Sequence, residues 1–252
     1  ANLKPVWNSI LEVYGEFASL CEAHKLRYWI AYGSLIGTVR HKGFIPWDDD
    51  FDVFMPREDY ERFLQIAEKN LPPYLKIVKW DNCKSYNYLF CKVQDSRKDV
   101  YEATVSASGQ ELPQGIYIDI FPLDGKSDSA FVNAWEVFQR KLLYMRYTAL
   151  FRKGCHRSLK GWIAEFLGHC LAFLYPGIKT EKDFTKKMYK WSRRHPFEHS
   201  RECGFFFTLA GGWEWTAPTT IFSGTEYLPF DDIKVPCPRG WDLFLTRMYG
   251  DY

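Results

Sequence analysis

Four aspartates stand within five residues of the stretch GFIPWDDDFDVFMPREDY, Gly43 to Tyr60: Asp48, Asp49, Asp50 and Asp52. Neighbouring carboxylates repel one another, yet Trp, Phe, Val and Met surround these. In an extended strand, residues two apart share a face and stand about 6.5–7 Å apart. Asp48, Asp50 and Asp52 then point one way, and Asp49, Phe51 and Val53 the other. An acidic turn with solvated side chains is the plain alternative, but the close apolar residues argue against exposure. Paired carboxylates without a cation nearby in sequence call for a hard metal ion. Mg²⁺, or Mn²⁺ in its place, suits one or two carboxylates completed by water and substrate phosphates.

Two more pieces fit the same chemistry. YIDIFPLDG places Asp119 between Ile118 and Ile120. A buried aspartate needs a partner, here either a core arginine or the same metal. AYGS ends an apolar run at Gly33 and Ser34 and opens a helix, whose free N–H groups can cradle a phosphate. Together these make a phosphate-plus-metal constellation, with two carboxylates on one strand and a third on another. That is the layout of nucleotidyltransferase-fold, polymerase-beta-like enzymes.

The elements that must position these residues follow from periodicity. Apolar residues from Leu3 to Cys21 recur at helical spacing, and the helix ends near His24. LRYWIAYGS reads as a buried strand, LIGTVRHKG as a short helix closed by Gly43, and DDDFDVFM as a strand ended by Pro56. REDYERFLQIAEKN is a helix, YNYLFCKVQD and GIYIDIFPLDG are strands, and SASGQELPQG between them is loop. Residues 26–125 thus form an α+β core with a mixed sheet. Residues 127–199 are a helical insertion, with Thr180 and Asp183 at capping-box spacing. Residues 200–252 return to short strands and a final helix. The whole, 1–252, reads as a single domain.

Composition narrows the function classes. The net charge of +2 gives no argument for nucleic acid. Aromatic residues make up 18%, an excess that either fills the core or lines a pocket. Seven scattered cysteines without a CxxC pair read as reduced thiols of a cytoplasmic protein. Cys155-His156 and His169-Cys170 match no zinc spacing. The chain opens at ANLKPVWNSI with neither an initiator Met nor a signal peptide, so residues upstream of Ala1 are expected. Gly161–Gly177, the most hydrophobic window, is too short to span a bilayer and carries Glu165 and His169. From Arg140 to Arg194 fourteen basic residues face only Glu165, Glu181 and Asp183. That is either a solvated face or a surface for a phosphate-rich acceptor or an anionic inner membrane leaflet.

The stretch YGSLIGTVRHKGFIPWDDDFDVFMPREDYERF closely resembles the signature of the LicD family, and YIDIFPLDG and the terminal YGDY resemble it too. Bacterial members of that family transfer phosphocholine from CDP-choline to sugars of teichoic acids or lipopolysaccharide, and animal members use CDP-ribitol. The resemblance implies Asp50, Asp52 and Asp119 as catalytic carboxylates. It implies Asp50 and Asp52 as Mg²⁺ ligands, Asp48 sharing or supporting them, and Asp119 as a further ligand or the base for the acceptor hydroxyl. Gly33 and Ser34 would face the diphosphate, and Arg40, Lys42 and Lys92 would neutralise phosphate charge. After KVQDSR the run KDVYEA departs from the family pattern, so no role is carried to Glu102.

The expected partners are CDP-choline or another CDP-alcohol and a glycan or lipid-linked glycan acceptor, with peripheral membrane association. A quaternary ammonium favours aromatic faces. GFFFTLAGGWEWTAP offers Trp213 and Trp215 for it, along with Phe205, Phe206 and Phe207, and Trp47 adjoins the acidic run. A nucleotide-sugar glycosyltransferase would also use an Asp-x-Asp, but does not need the Gly-Ser step or Asp119. A non-catalytic glycan-binding domain would not need all three carboxylates.

Overall fold

A computed structural model describes residues 3–98, 115–151, 163, 166, 167, 169, 170, 175–207 and 212–252, with side chains left undescribed at 207 and 212–214. The expected loop at 106–115 and Cys155-His156 fall largely or wholly outside these residues, as does Glu102.

The architecture is α+β with a mixed, seven-stranded sheet. Helix α1 (Lys4–Ala23) leads to β1 (Trp29–Ile30), α2 (Tyr32–His41), β2 (Asp52–Pro56) and α3 (Arg57–Asn70). Then come β3 (Leu75–Val78), β4 (Cys91–Asp95) and the long β5 (Ile116–Gly125). Helices α4 (Ala130–Phe151) and α5 (Glu181–Ser192) follow. The chain closes with β6 (Glu202–Phe207), β7 (Gly212–Pro218), β8 (Thr225–Phe230), β9 (Ile233–Pro238) and α6 (Trp241–Tyr249). The main sheet runs β1-β2-β5-β4-β3. Strands β2 and β5 are parallel, while β4 is antiparallel to both β5 and β3. The far end of β5 pairs with β6, which carries β7. Strands β8 and β9 form a separate hairpin.

Three local expectations change. The acidic strand begins at Asp52, because pairing with β5 starts at Asp52 opposite Asp119 and with β1 only at Val53. Residues 48–51 are therefore loop, without the imagined pleat. Gly33 and Ser34 lie inside the first turn of α2, and that helix is closed by Lys42 in the left-handed conformation at φ 56°, one residue before Gly43. Strand β3, LKIV, went unread between Pro73 and the next strand, where four residues give too little alternation to count. The capping box at Thr180 and Asp183 is present: Thr180 Oγ1 accepts from Asp183 N–H, and Asp183 accepts from Thr180 N–H.

Much of the aromatic excess is core. Phe54, fully buried on β2, packs against the rings of Tyr32, Trp215, Phe222 and Phe244. Phe17 meets Tyr28 and Phe63 edge-on, joining α1 to α3. Such contacts add to burial the edge-to-face attraction of aromatic pairs.

One buried ion pair ties the helical half to the sheet. Arg57, the first residue of α3, donates from Nε to Asp124 Oδ1 at 2.6 Å and from Nη2 to Asp124 Oδ2 at 2.7 Å. Nη2 also donates to Ser192 Oγ on α5 at 3.2 Å. A cation at a helix N-terminus opposes the helix dipole, so this bidentate partner is what holds Arg57 there. Among the described residues no helix is long and apolar enough to cross a membrane. Asp124→Ala leaves the buried guanidinium with only the longer contacts to Glu61 at 3.3 Å and Ser192 at 3.2 Å. Urea unfolding should show a loss of about 3–5 kcal/mol, with a large part regained in the apolar double variant Arg57→Leu, Asp124→Leu.

Candidate active site

Strand register builds the centre of the site. Asp52 on β2 lies opposite Asp119 on β5, and Asp119 lies opposite Lys92 on β4. Residues paired across neighbouring strands project from the same face, so Asp52, Asp119 and Lys92 form one row. Lys92 Nζ is 3.3 Å from Asp119 Oδ1 and also sits over the Tyr117 ring. The partner sought for Asp119 is therefore a lysine from the next strand. The core arginine, Arg57, belongs to Asp124 instead. Asp52 and Asp119 are both buried.

The acidic loop is brought to this row by contacts from three sides. Phe44 and Phe51 bracket it, and both pack on Phe230 at the end of β8. Trp7 of α1 stacks on Phe44 and donates from its indole to the Asp48 carbonyl at 2.7 Å. Ser34 Oγ accepts from Asp52 N–H at 2.9 Å, and Ala31 N–H donates to the Asp52 carbonyl at 2.9 Å. Gly33 must be glycine for space: a Cβ there would lie 2.8 Å from Asp48 Oδ2. Gly43 is equally confined, with Asp231 Oδ1 2.5 Å from its would-be Cβ. Trp7, Phe230 and Asp231 thus position the loop, yet their separation in sequence left no local signal.

The loop, rather than the pleat, gathers the carboxyl groups. Asp48 and Asp50 stand close enough to act on each other's ionisation. Burial first, then the charge of Asp50, pushes Asp48 up to about 7. Burial also raises Asp50, with Asp48 opposing. Asp52 is raised well above the usual carboxylate range by burial and then by Asp50, Asp119 and Asp48, with Lys92 opposing. Asp49 is exposed, whereas alternation would have put it on the buried face of Phe51 and Val53.

A hard cation fits the chemistry of this donor set, since it would offset the repulsion among Asp48, Asp50 and Asp52. No three such groups converge as ligands of one ion among the described residues. The set therefore suits an ion held by one or two carboxylates, with water and a substrate phosphate completing it.

The other expected residues are spread more widely. Arg40 and Lys42 are exposed at the far end of α2, roughly 9 Å along the helix from Ser34 at 1.5 Å per residue. Trp215 is buried against Phe54 and Phe244 and donates from Nε1 to Tyr32 Oη at 2.7 Å, so its role is packing. The Trp213 side chain lies outside the described residues. Phe205 and Phe206 are buried. Trp47, beside the acidic loop, is 79% exposed. Tyr86 was unforeseen: it is fully buried, and its hydroxyl has no hydrogen-bond partner among the described residues. Burial first and then the Asp119 charge raise its pKa, which places it by that carboxylate.

A family model described as the LicD/FKTN/FKRP nucleotidyltransferase domain matches residues 25–153, just over half of the chain and the part that carries Asp48, Asp50, Asp52 and Asp119. The chain belongs to this family. It is 27% identical over 245 residues to the lipopolysaccharide cholinephosphotransferase LicD of Haemophilus influenzae, covering 96% of this chain and 88% of that protein. A shorter match, 50% identical over 38 residues, joins it to human ribitol 5-phosphate transferase FKRP, covering 15% of this chain and 8% of that protein.

The crowded carboxyls have a measurable cost. A carboxyl whose folded pKa is raised binds more protons folded than unfolded, so stability falls as pH rises between the two values. For Asp48 that window runs from 3.8 to about 7. In EDTA, the melting temperature should fall from pH 5 to pH 7, and Asp48→Asn should flatten the slope. A melting temperature that climbs across this window in EDTA would show that the carboxyls are not crowded.

Proposed function

We propose that this protein transfers a phospho-alcohol group, in the first place phosphocholine from CDP-choline, to a sugar hydroxyl of a cell-surface glycan such as lipopolysaccharide or teichoic acid. One observation carries the reading: the Asp52–Asp119–Lys92 row faces the acidic loop at the first turn of α2, in a chain that aligns along 96% of its length with a cholinephosphotransferase. The whole chain acts as one domain on a polymerase-beta-like core.

The acceptor hydroxyl attacks the phosphorus that bears the choline, the bond from that phosphorus to the CMP oxygen breaks, and CMP leaves. Such chemistry needs positioning and charge stabilisation more than covalent help from the protein. Asp119, facing Lys92, takes the hydroxyl proton. Lys92 offers its ammonium to the charge that develops on the transferred phosphoryl group. The free N–H groups of the first turn of α2, at Gly33 and Ser34, meet a diphosphate oxygen. Asp50 and Asp52 would hold Mg²⁺ with Asp48 in support, and the ion when bound neutralises the diphosphate and its leaving oxygen.

The choline receptor changes with the structure. Trp215 is committed to the core, so Trp47, exposed next to Asp48, supplies the aromatic face for the quaternary ammonium. The short match to a ribitol 5-phosphate transferase supports the shared phosphoryl chemistry and leaves the alcohol to Trp47 and its surroundings.

Asp50→Ala or Asp52→Ala should lower CMP release by on the order of 10²–10³, without lowering the melting temperature in EDTA. Gly33→Ala, which displaces Asp48 while keeping every carboxylate, should lower it too. Near-full activity in Asp52→Ala defeats the proposal. Trp47→Ala should raise KM for CDP-choline more than for CDP-ribitol; equal effects on both donors remove Trp47 from choline recognition.

A further inference from the structure

Helix α4 carries an apolar stripe that stands exposed among the described residues. Phe131, Trp135 and Phe138 recur at i, i+4 and i+7, one face of a helix. They are 80%, 52% and 50% exposed. The Trp135 and Phe138 rings lie 5.7 Å apart, so the stripe is continuous. Its opposite face is committed to the protein: Glu136 and Arg140 are buried, and Glu136 meets Arg194 and His195. Solvent-facing aromatics in a row are costly unless something covers them.

A cationic cleft adjoins the stripe. Lys186, Lys187 and Lys190 of α5 line a cavity of about 410 Å³ with Tyr175 and Asp183. Tyr175 donates its hydroxyl to the carbonyl of Gln139, the residue after Phe138. The cleft and the stripe therefore meet at one point on α4. Across residues 130–151 and 175–195, ten Lys and Arg stand against three acidic residues. Several of the ten are internally engaged. Lys182 is spent on the carbonyls of Trp80, Cys83 and Tyr86, and Arg140 on Glu136. Lys186 and Lys190 remain exposed, as does Lys141 on α4.

We infer that this face docks on an anionic lipid bilayer, with Phe131, Trp135 and Phe138 entering the interface and the lysine cleft holding lipid phosphate. The charge pattern selects that occupant. A second copy of this chain would bring like charges together around the stripe, whereas an anionic leaflet supplies both an apolar layer and opposing charge. Trp and Phe suit this depth, where a ring is half in headgroups and half in hydrocarbon. Docking would be peripheral, since no described helix can span.

Co-sedimentation of the full chain with phosphatidylcholine vesicles, with and without phosphatidylglycerol, tests this without donor or acceptor, so its outcome is separate from that of the transferase assay. Binding should require phosphatidylglycerol and weaken in high salt as the charges are screened. Replacing Lys186, Lys187 and Lys190 by Gln should weaken it on the order of 10²-fold. Phe131→Ser, Trp135→Ser and Phe138→Ser together should abolish it, with the melting temperature unchanged because the three are exposed. Vesicles with brominated acyl chains should quench tryptophan emission less in Trp135→Phe, which still binds. The inference is overturned by three results. One is no binding to anionic vesicles, and another is binding indifferent to both triple variants. The third is a dimer in solution that the serine variant dissociates while vesicles capture neither form.

Discussion

The parallel pairing of β2 with β5 sets two carboxylates side by side, and the rest of the site is arranged around that placement. Register leaves no freedom here. Once Asp52 pairs with Asp119, both side chains leave the sheet on the same face, about one strand spacing apart. Burial makes their repulsion stronger than it would be in water. Lys92 relieves part of it from the next strand. The loop before β2 adds Asp48 and Asp50 to this cluster, and burial raises both. A site of this kind is held together by packing around it, against its own electrostatics.

That packing explains what could be read in the sequence and what could not. The two strand aspartates were legible, since each interrupts an apolar run in which a charge has no other business. The pleat expected for Asp48 and Asp50 is absent, because contact with β5 begins only where Asp119 N–H donates to the Phe51 carbonyl. The loop is instead anchored by Phe44, four residues before Asp48, and Phe51, between Asp50 and Asp52, both on the ring of Phe230. Trp7, Phe230 and Asp231 come from opposite ends of the chain, and a single sequence carries no mark of such meetings. Tyr86 reads as one more aromatic among many, and its burial depends on neighbours that the sequence does not mark.

The aromatic residues divide by what covers them. Phe54 on β2, Phe205 and Phe206 on β6 and Phe244 on α6 are enclosed and account for part of the unusual composition; even Trp215 is held by a hydrogen bond from its indole. Phe131, Trp135 and Phe138 on α4 and Trp47 are not enclosed. Composition could count these rings but not sort them, because sorting depends on which neighbours the fold supplies. The same holds for the basic residues of the helical half, some of which cap carbonyls or pair with glutamate while others face outward.

The Arg57–Asp124 clasp has a consequence for how the chain comes into being. Its partners are 67 residues apart, and Ser192, which also binds Arg57, is 135 away. Domains generally fold as units as they leave the ribosome, at about 5–20 residues per second. The first hundred residues emerge with an arginine that has Glu61 but not its bidentate partner, and with a β2 that lacks its central neighbour. They hold the acidic loop, the first turn of α2 and most of the signature, yet they cannot close on themselves. The nascent polypeptide must wait until β5 and then α5 are synthesised, so a truncated product would carry the motif without the fold that makes it useful.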